Sequence, residues 1–237
     1  MTRVDGRNPL DMRTAEVKTG FIEQAPESVL FSMGRTKVLC TATVTEGVPK
    51  WLENRLPPQG WVSAEYSLLP RSTGSRTQRE RRGAGGRTLE IQRLIGRSLR
   101  AGVDMNRLGA RSIIVDCDVL QADGGTRTAS ITGGWLAMAR AIGTLVESGE
   151  IRRDPLASPV AAVSVGLVDG EALLDLCYEE DSVADVDMNV VMNEAGDLIE
   201  VQATAEGHPF SRSQLEELLD LARRGVDQLI VLQKEHL

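Results

Sequence analysis

The chain is poor in the residues on which many hydrolases and metalloenzymes depend. It has two histidines, His208 beside Pro209 and His236 near the last residue, so a histidine-based triad or a zinc site is not expected. The three cysteines, Cys40, Cys117 and Cys177, each lie in an apolar run without the paired spacing of a metal site, and an odd number does not make a disulfide framework. They read as buried thiols. No window of 18 apolar residues occurs, and the opening MTRVDGRNPLDMRTAEV has no apolar segment of the kind that directs secretion, so a cytoplasmic protein without membrane contact is expected. A Pro/Gly/Ser linker and a repeat of solenoid length are also missing, which predicts one domain over residues 1–237.

What the chain does have is an ordinary globular make-up, 41% hydrophobic and 26% charged, with enough length to bury a core. The net charge of −7 counts against nucleic acid as a partner only when averaged over the whole chain. Between Arg71 and Arg111 there are 11 arginines, no lysine and 3 acidic residues, whereas between Asp169 and Asp220 there are 15 acidic residues against Arg212 alone. The surface therefore has material for a basic path and for a separate acidic pocket.

Segments 28–33, 37–44 and 61–68 carry β-branched or alternating apolar residues between Gly, Pro or charged turns, and an antiparallel sheet is the natural reading. Residues 69–86 (LPRSTGSRTQRERRGAGG) are nearly devoid of apolar side chains and form an exposed loop. In 87–103 the residues Ile91, Leu94, Ile95 and Leu99 recur at helical steps, leaving Arg93, Arg97 and Arg100 mostly on the other face. A strand over 112–121 and a turn at 122–125 lead into a helix that starts close to Thr126, with Ile131, Trp135, Met138, Ile142 and Leu145 as its stripe. Segments 160–168, 172–177, 186–193 and 198–204 predict two hairpins. A last helix begins near Ser211, where Ser211/Gln214 or Ser213/Glu216 forms a capping box. The sum is an α+β or mixed α/β domain whose helices cover sheet faces.

The strongest local feature is Asp123-Gly124-Gly125-Thr126-Arg127-Thr128, a glycine turn between a strand and a helix start. The first helical N–H groups have no intrahelical partner, so such a turn suits an anion; taken alone, the same residues also make a tight turn with a threonine cap. It is not a nucleotide P-loop. A second entry of the same kind, Gly85-Gly86-Arg87-Thr88, opens the helix before it, so if the two converge, two guanidinium groups hold one phosphate. The acidic counterpart is the run from Glu179 to Asp187: Asp185 and Asp187 share a strand face, and Asp181 folds back from the preceding turn. Such carboxylates bind Mg²⁺ or Mn²⁺, although an acidic run is also an ordinary solvated loop. Asp116 and Asp118 share a strand face too, and read as structural or supporting residues.

With these motifs in hand, the sequence resembles the bacterial ribonuclease PH family over essentially the whole chain, from Asp5-Gly6-Arg7 through KVLCTATVTEGVP, GWVSAEYSLLPRST, GGRTLEIQRLIGRSLR, VDCDVLQADGGTRTASITG, EDSVADVDMNVVM and EVQATAEG. The resemblance implies the ribonuclease PH fold, related to ribosomal S5 domain 2, and a homohexameric ring built as a trimer of dimers. It implies a phosphorolytic 3′-to-5′ exoribonuclease that trims tRNA precursors, releases nucleoside diphosphates and runs in reverse as a nucleotidyltransferase. Inorganic phosphate as co-substrate is then expected on Arg87, Gly125, Thr126 and Arg127, and Mg²⁺ or Mn²⁺ on Asp181 and Asp187. Asp181, Asp187 and Arg127 are the expected catalytic residues, one of the two aspartates, Asp187 before Asp181, protonating the leaving 3′ oxygen directly or through metal-bound water, and Arg71, Arg76, Arg79 and Arg93 are expected on RNA. The alternative from another class is a non-catalytic RNA-binding subunit of an exosome-like ring, against which stands the presence of both Arg/Thr motifs and both aspartates.

Overall fold

In the computed structural model, which describes residues 3–237, the chain runs β1 (Ala15–Thr19), β2 (Val29–Met33), β3 (Thr36–Glu46), β4 (Trp61–Leu68), α1 (Gly86–Ala101), α2 (Met105–Leu108), β5 (Arg111–Gln121) and α3 (Thr126–Glu147). The second half follows as β6 (Val160–Val168), β7 (Glu171–Leu174), α4 (Tyr178–Asp181), β8 (Val186–Asn193), β9 (Leu198–Ala205) and α5 (Arg212–Lys234). The first sheet has the order β1-β2-β3-β5-β4 and the second β7-β6-β8-β9, giving an α+β architecture.

Helix α3 lies between the two sheets, packed on β2, β3 and β5 on one side and on β6 on the other. Its predicted stripe is buried at Ile131, Trp135, Met138 and Ile142, each at most 1% exposed, and partly buried at Leu145 near the end of the helix. Gly133 lets it approach the first sheet, since a Cβ there would sit 2.8 Å from the Phe31 Cβ. Strand β6, VAAVSVGLV, is buried along its whole length because α3 covers one face and α5 the other, which is why it reads as a continuous apolar run rather than an alternation. One cluster of buried apolar residues extends through both sheets and the helices α1, α3 and α5. Each large side chain in it contributes roughly 1.5–3 kcal/mol relative to exposure. Helix α5 starts with the Ser211/Gln214 capping box: Gln214 N–H donates to Ser211 Oγ at 3.2 Å, and Ser211 N–H donates to Gln214 Oε1 at 2.7 Å.

The first sheet corrects one expectation. It is not purely antiparallel, because β4 pairs parallel to β5, from Trp61 opposite Ser112 to Leu68 opposite Val119. The α1–α2 stretch between them is long enough to return the chain to its starting end, as a parallel pair requires. That shared sense decides where the two helix starts fall. The carboxyl ends of two neighbouring parallel strands lie side by side, and each strand leads into a glycine-flanked helix start at that end.

Candidate active site

Strand β4 delivers the loop 69–85 and then the N-terminus of α1; strand β5 delivers the turn 122–125 and then the N-terminus of α3. The loop is stitched to the strand ends, with Leu69 N–H donating to Val119 O at 3.1 Å and Ala122 N–H donating to Ser72 O at 2.8 Å. Both helices begin with a glycine N-cap that makes no side-chain cap bond, and neither has an acidic residue in its first turn. Their first N–H groups and their positive dipole ends are thereby left for an external anion. Gly125, the cap of α3, has φ 65° in the left-handed region, and Gly124 before it has φ 76°.

Together these helix starts and the second sheet enclose a cavity of about 450 Å³. Arg87, Gly125, Thr126 and Arg127 line it, and so do Asp181 from α4 and Asp187 from β8. The six residues expected to hold phosphate and cation are thus brought to one place. Thr73, Gly74, Ser75 and Thr77 of the basic loop form another part of the wall, and Tyr178, 63% exposed, also lines it.

The two arginines differ in how far they are already partnered. Arg127 Nη2 donates to Glu90 Oε2 at 3.1 Å, while its Nε is buried without a hydrogen-bond partner. Glu90 is in turn fixed by Gln202 of β9, whose amide donates to Glu90 Oε1 at 3.0 Å. Although burial pulls the other way, the Gln202 bond and Arg127 hold the Glu90 carboxyl below its usual range. Arg87 is exposed and makes no ion pair among the described residues. Tyr66 Oη donates to Thr126 Oγ1 at 2.9 Å, and burial pushes the phenol's pKa up, so it remains a donor that orients the threonine hydroxyl.

The carboxylates show the opposite tuning. Burial, then the charge of Asp181, push Asp187 to about 6, against the pull of Arg127 and Arg87. Burial also pushes Asp181 up, against Arg127, Arg87 and Arg13. Two partly desolvated carboxylates that repel each other favour either a shared proton or a divalent cation. No set of three His, Cys, Asp or Glu side chains is grouped for a metal among the described residues. Asp181 and Asp187 offer hard oxygen donors, the chemistry a cation such as Mg²⁺ takes when water and substrate oxygens complete its shell.

The remaining expectations fall elsewhere. Arg71, Arg76 and Arg79 are exposed on the loop whose neighbours line the cavity. Arg93 is exposed on α1 in a separate groove with Trp61, Arg97 and Arg100, where Arg100 lies 4.3 Å over the Trp61 ring. Asp116 and Asp118 lie outside the cavity, and burial followed by the charge of Glu65 raises both. All three cysteines are free and buried. Asp181 closes a one-turn helix rather than sitting in a plain turn. Sequence reasoning missed Tyr66, Glu90, Ser164 and Asn189, which touch or support the cavity; only the strand alternation of 61–68 and 186–193 carries a trace of them.

Models of the 3′ exoribonuclease family match in two parts, domain 1 over residues 11–142 and domain 2 over residues 158–225. The chain is 54% identical over 235 residues to a ribonuclease PH of Crocosphaera subtropica, covering 99% of this chain and 97% of that one. Among solved structures it resembles a chain of the Archaeoglobus fulgidus exosome with RNA bound to the active site, at TM-score 0.78 and 23% identity over 96% of this chain and 91% of that chain. It also resembles rice (Oryza sativa) Rrp46, at TM-score 0.76 and 19% identity over 98% of both chains.

Proposed function

Since the chain belongs to the 3′ exoribonuclease family, we propose that its cavity between the α1 and α3 starts and β8 is where inorganic phosphate attacks the last phosphodiester of an RNA 3′ end. The protein is a phosphate-dependent exoribonuclease of the ribonuclease PH type, with nucleotidyl transfer to RNA as the reverse reaction. What supports the assignment of the cavity is that Arg87, Arg127, Asp181 and Asp187 all line the same space of about 450 Å³, near enough for both arginines to lower the pKa of both carboxyls against burial.

Phosphate is seated by the two guanidinium groups, the Thr126 hydroxyl and the amides after Gly124, which turns a bimolecular attack into a positioned one. Among the described residues the Arg127 Nε is buried without a hydrogen-bond partner, and the starts of α1 and α3 have no side-chain cap, which leaves donors for the anion. Protonation of the departing 3′ oxygen is assigned to one of the two aspartates, Asp187 before Asp181, because burial and the charge of Asp181 push the Asp187 carboxyl to about 6. Asp181 and Asp187 would hold a divalent cation, which when bound offsets charge on the phosphoryl oxygens. The exposed Arg71, Arg76 and Arg79, on the loop whose Thr73, Gly74, Ser75 and Thr77 line the cavity, take the RNA backbone upstream of the reacting end, and Arg93 meets RNA from the separate groove on α1. The substrates are 3′-extended tRNA precursors in the cytoplasm, and the working form is a homohexamer built from three dimers. No described helix is long and apolar enough to cross a membrane.

Incubation of a 3′-extended tRNA with protein and Mg²⁺ should yield nucleoside diphosphates with phosphate present and no monophosphates in its absence. Monophosphate release without phosphate would mean hydrolysis and a different reaction. The loop carries a second expectation. An Arg76→Ala/Arg79→Ala variant should bind tRNA more weakly at low salt, with the log–log salt slope shallower by about 2 if each guanidinium meets one phosphate. An unchanged slope would remove the loop from the RNA path.

A further inference from the structure

Three arginines of the N-terminal segment, Arg3, Arg7 and Arg13, meet Asp175 just before α4 and Glu180 within it, and none of the five lines the cavity. Arg13, 7% exposed, forks onto Asp175, with Nε donating to Oδ2 at 2.8 Å and Nη2 to Oδ1 at 2.6 Å. The other side of the same guanidinium reaches the phosphate turn, donating from Nη1 to Asp123 O and from Nη2 to Gly124 O at 3.5 Å. Thr36, fully buried, grips the turn as well: its hydroxyl accepts from Asp123 N–H at 2.9 Å and donates to Gly124 O at 2.7 Å.

Asp175 is itself held at φ 56°, an unusual conformation for a residue other than glycine, and begins the segment that ends at Asp181. Arg3 fixes the far end of that segment by a buried fork onto Glu180, at 2.8 and 2.6 Å, and Glu180 caps α4 by accepting from Cys177 N–H at 3.1 Å. The two pieces touch directly, since a Cβ at Gly124 would lie 2.6 Å from Leu176 O and 2.8 Å from Tyr178 N.

We propose that Arg13 is a positioning residue that aims the amides of the phosphate-binding turn and ties that turn to the segment carrying Asp181. In a planar trans peptide the N–H points opposite to its C=O. Drawing the Gly124 carbonyl inward to Arg13 and Thr36 directs the Gly125 N–H the other way, off the buried clamp. A buried ion pair is a poor device for stability alone, because desolvation offsets its attraction; a forked guanidinium that bridges one carboxylate and two carbonyls supplies fixed geometry instead.

The inference rests on the reading of Gly125–Arg127 as the phosphate seat, and the test separates the two. Arg13→Lys keeps the charge and loses the fork; Thr36→Val removes the other grip at nearly constant volume. In the full-length protein, each is expected to raise the KM for inorganic phosphate on the order of tenfold, with affinity for a single-stranded RNA 3′ end unchanged. A purely structural role would lower the melting temperature and leave the KM of the folded enzyme where it was. If Arg13→Lys does not fold, Thr36→Val decides alone. Folded variants whose phosphate KM stays within roughly twofold of the parent overturn the proposal. Arg127→Ala in the same assay is the control: a raised KM there with none in the clamp variants defeats only the clamp, whereas no change in Arg127→Ala defeats the phosphate seat itself.

Discussion

Asp187→Asn is expected to lower kcat by about 10³-fold, the range lost when a positioned proton donor is removed, while RNA and phosphate affinities stay close to the parent's. The same substitution has a stability signature of its own, opposite in direction to most changes of a cavity residue. In the folded chain Asp187 titrates near 6 rather than 3.8, because burial and the charge of Asp181 disfavour its anion. Below the unfolded value the side chain is neutral in both states and costs nothing. As pH rises towards about 6 the folded state alone keeps its proton, and above that it carries a desolvated, repelled charge, so this group's contribution to stability falls across that window. Without added metal, Asp187→Asn should therefore melt above the parent at pH 8, with the advantage fading as pH drops through 6 towards 4. Parallel melting curves across that range would contradict the carboxylate's assigned environment, and full turnover in the variant would remove it from the chemistry.

The parts of this site that could be read from residues are the ones whose chemistry is local. A glycine pair followed by Thr126 and Arg127 specifies an uncapped helix start whatever the fold, and the same holds for Gly86 and Arg87. Apolar periodicity located α1, α3 and α5, and β4, β6 and β8 start and end where alternation or an unbroken apolar run places them. What no local pattern reveals is pairing. The parallel partnership of β4 with β5 brings the two helix starts to one end, and it depends on a return path of helices rather than on either strand's residues. Strand β1, AEVKT, escaped notice because it is a short edge strand with mostly exposed side chains, and α4 because a single turn has no period to detect. Tyr66 and Glu90 were illegible for the same reason: a tyrosine on a strand and a glutamate on a helix acquire a role only when Thr126 and Arg127 are delivered beside them.

The site's electrostatics explain why its two walls must be built from different elements. Arg127 and Arg87 hold Asp181 down against burial, and hold Asp187 down against burial and the repulsion of Asp181. Cation and anion are thus coupled across the cavity, so filling one wall alters the proton affinity of the other. A clamp that fixes the turn relative to α4 keeps this coupling constant while substrates come and go.

Arg127→Ala tests that coupling with the other large effect. Removing one preorganised donor to developing phosphoryl charge costs about 10²- to 10³-fold, or roughly 3–4 kcal/mol of transition-state stabilisation, and here it should appear in kcat/KM for phosphate. Arg127→Lys should recover little of it, since an ammonium cannot at once keep the Glu90 contact and offer a second, forked donor to phosphate. Two further consequences separate this residue from a general support. Glu90 loses a charge that holds its carboxyl down but keeps the Gln202 bond, so the folded structure and its melting temperature should change little. Asp181 and Asp187, relieved of an attractive charge while burial still disfavours their anions, should titrate higher, moving the ionisation seen in the pH–rate profile upwards. An Arg127→Ala enzyme with an unchanged pH profile and a normal phosphate KM would show that the guanidinium does not face the reacting groups in solution.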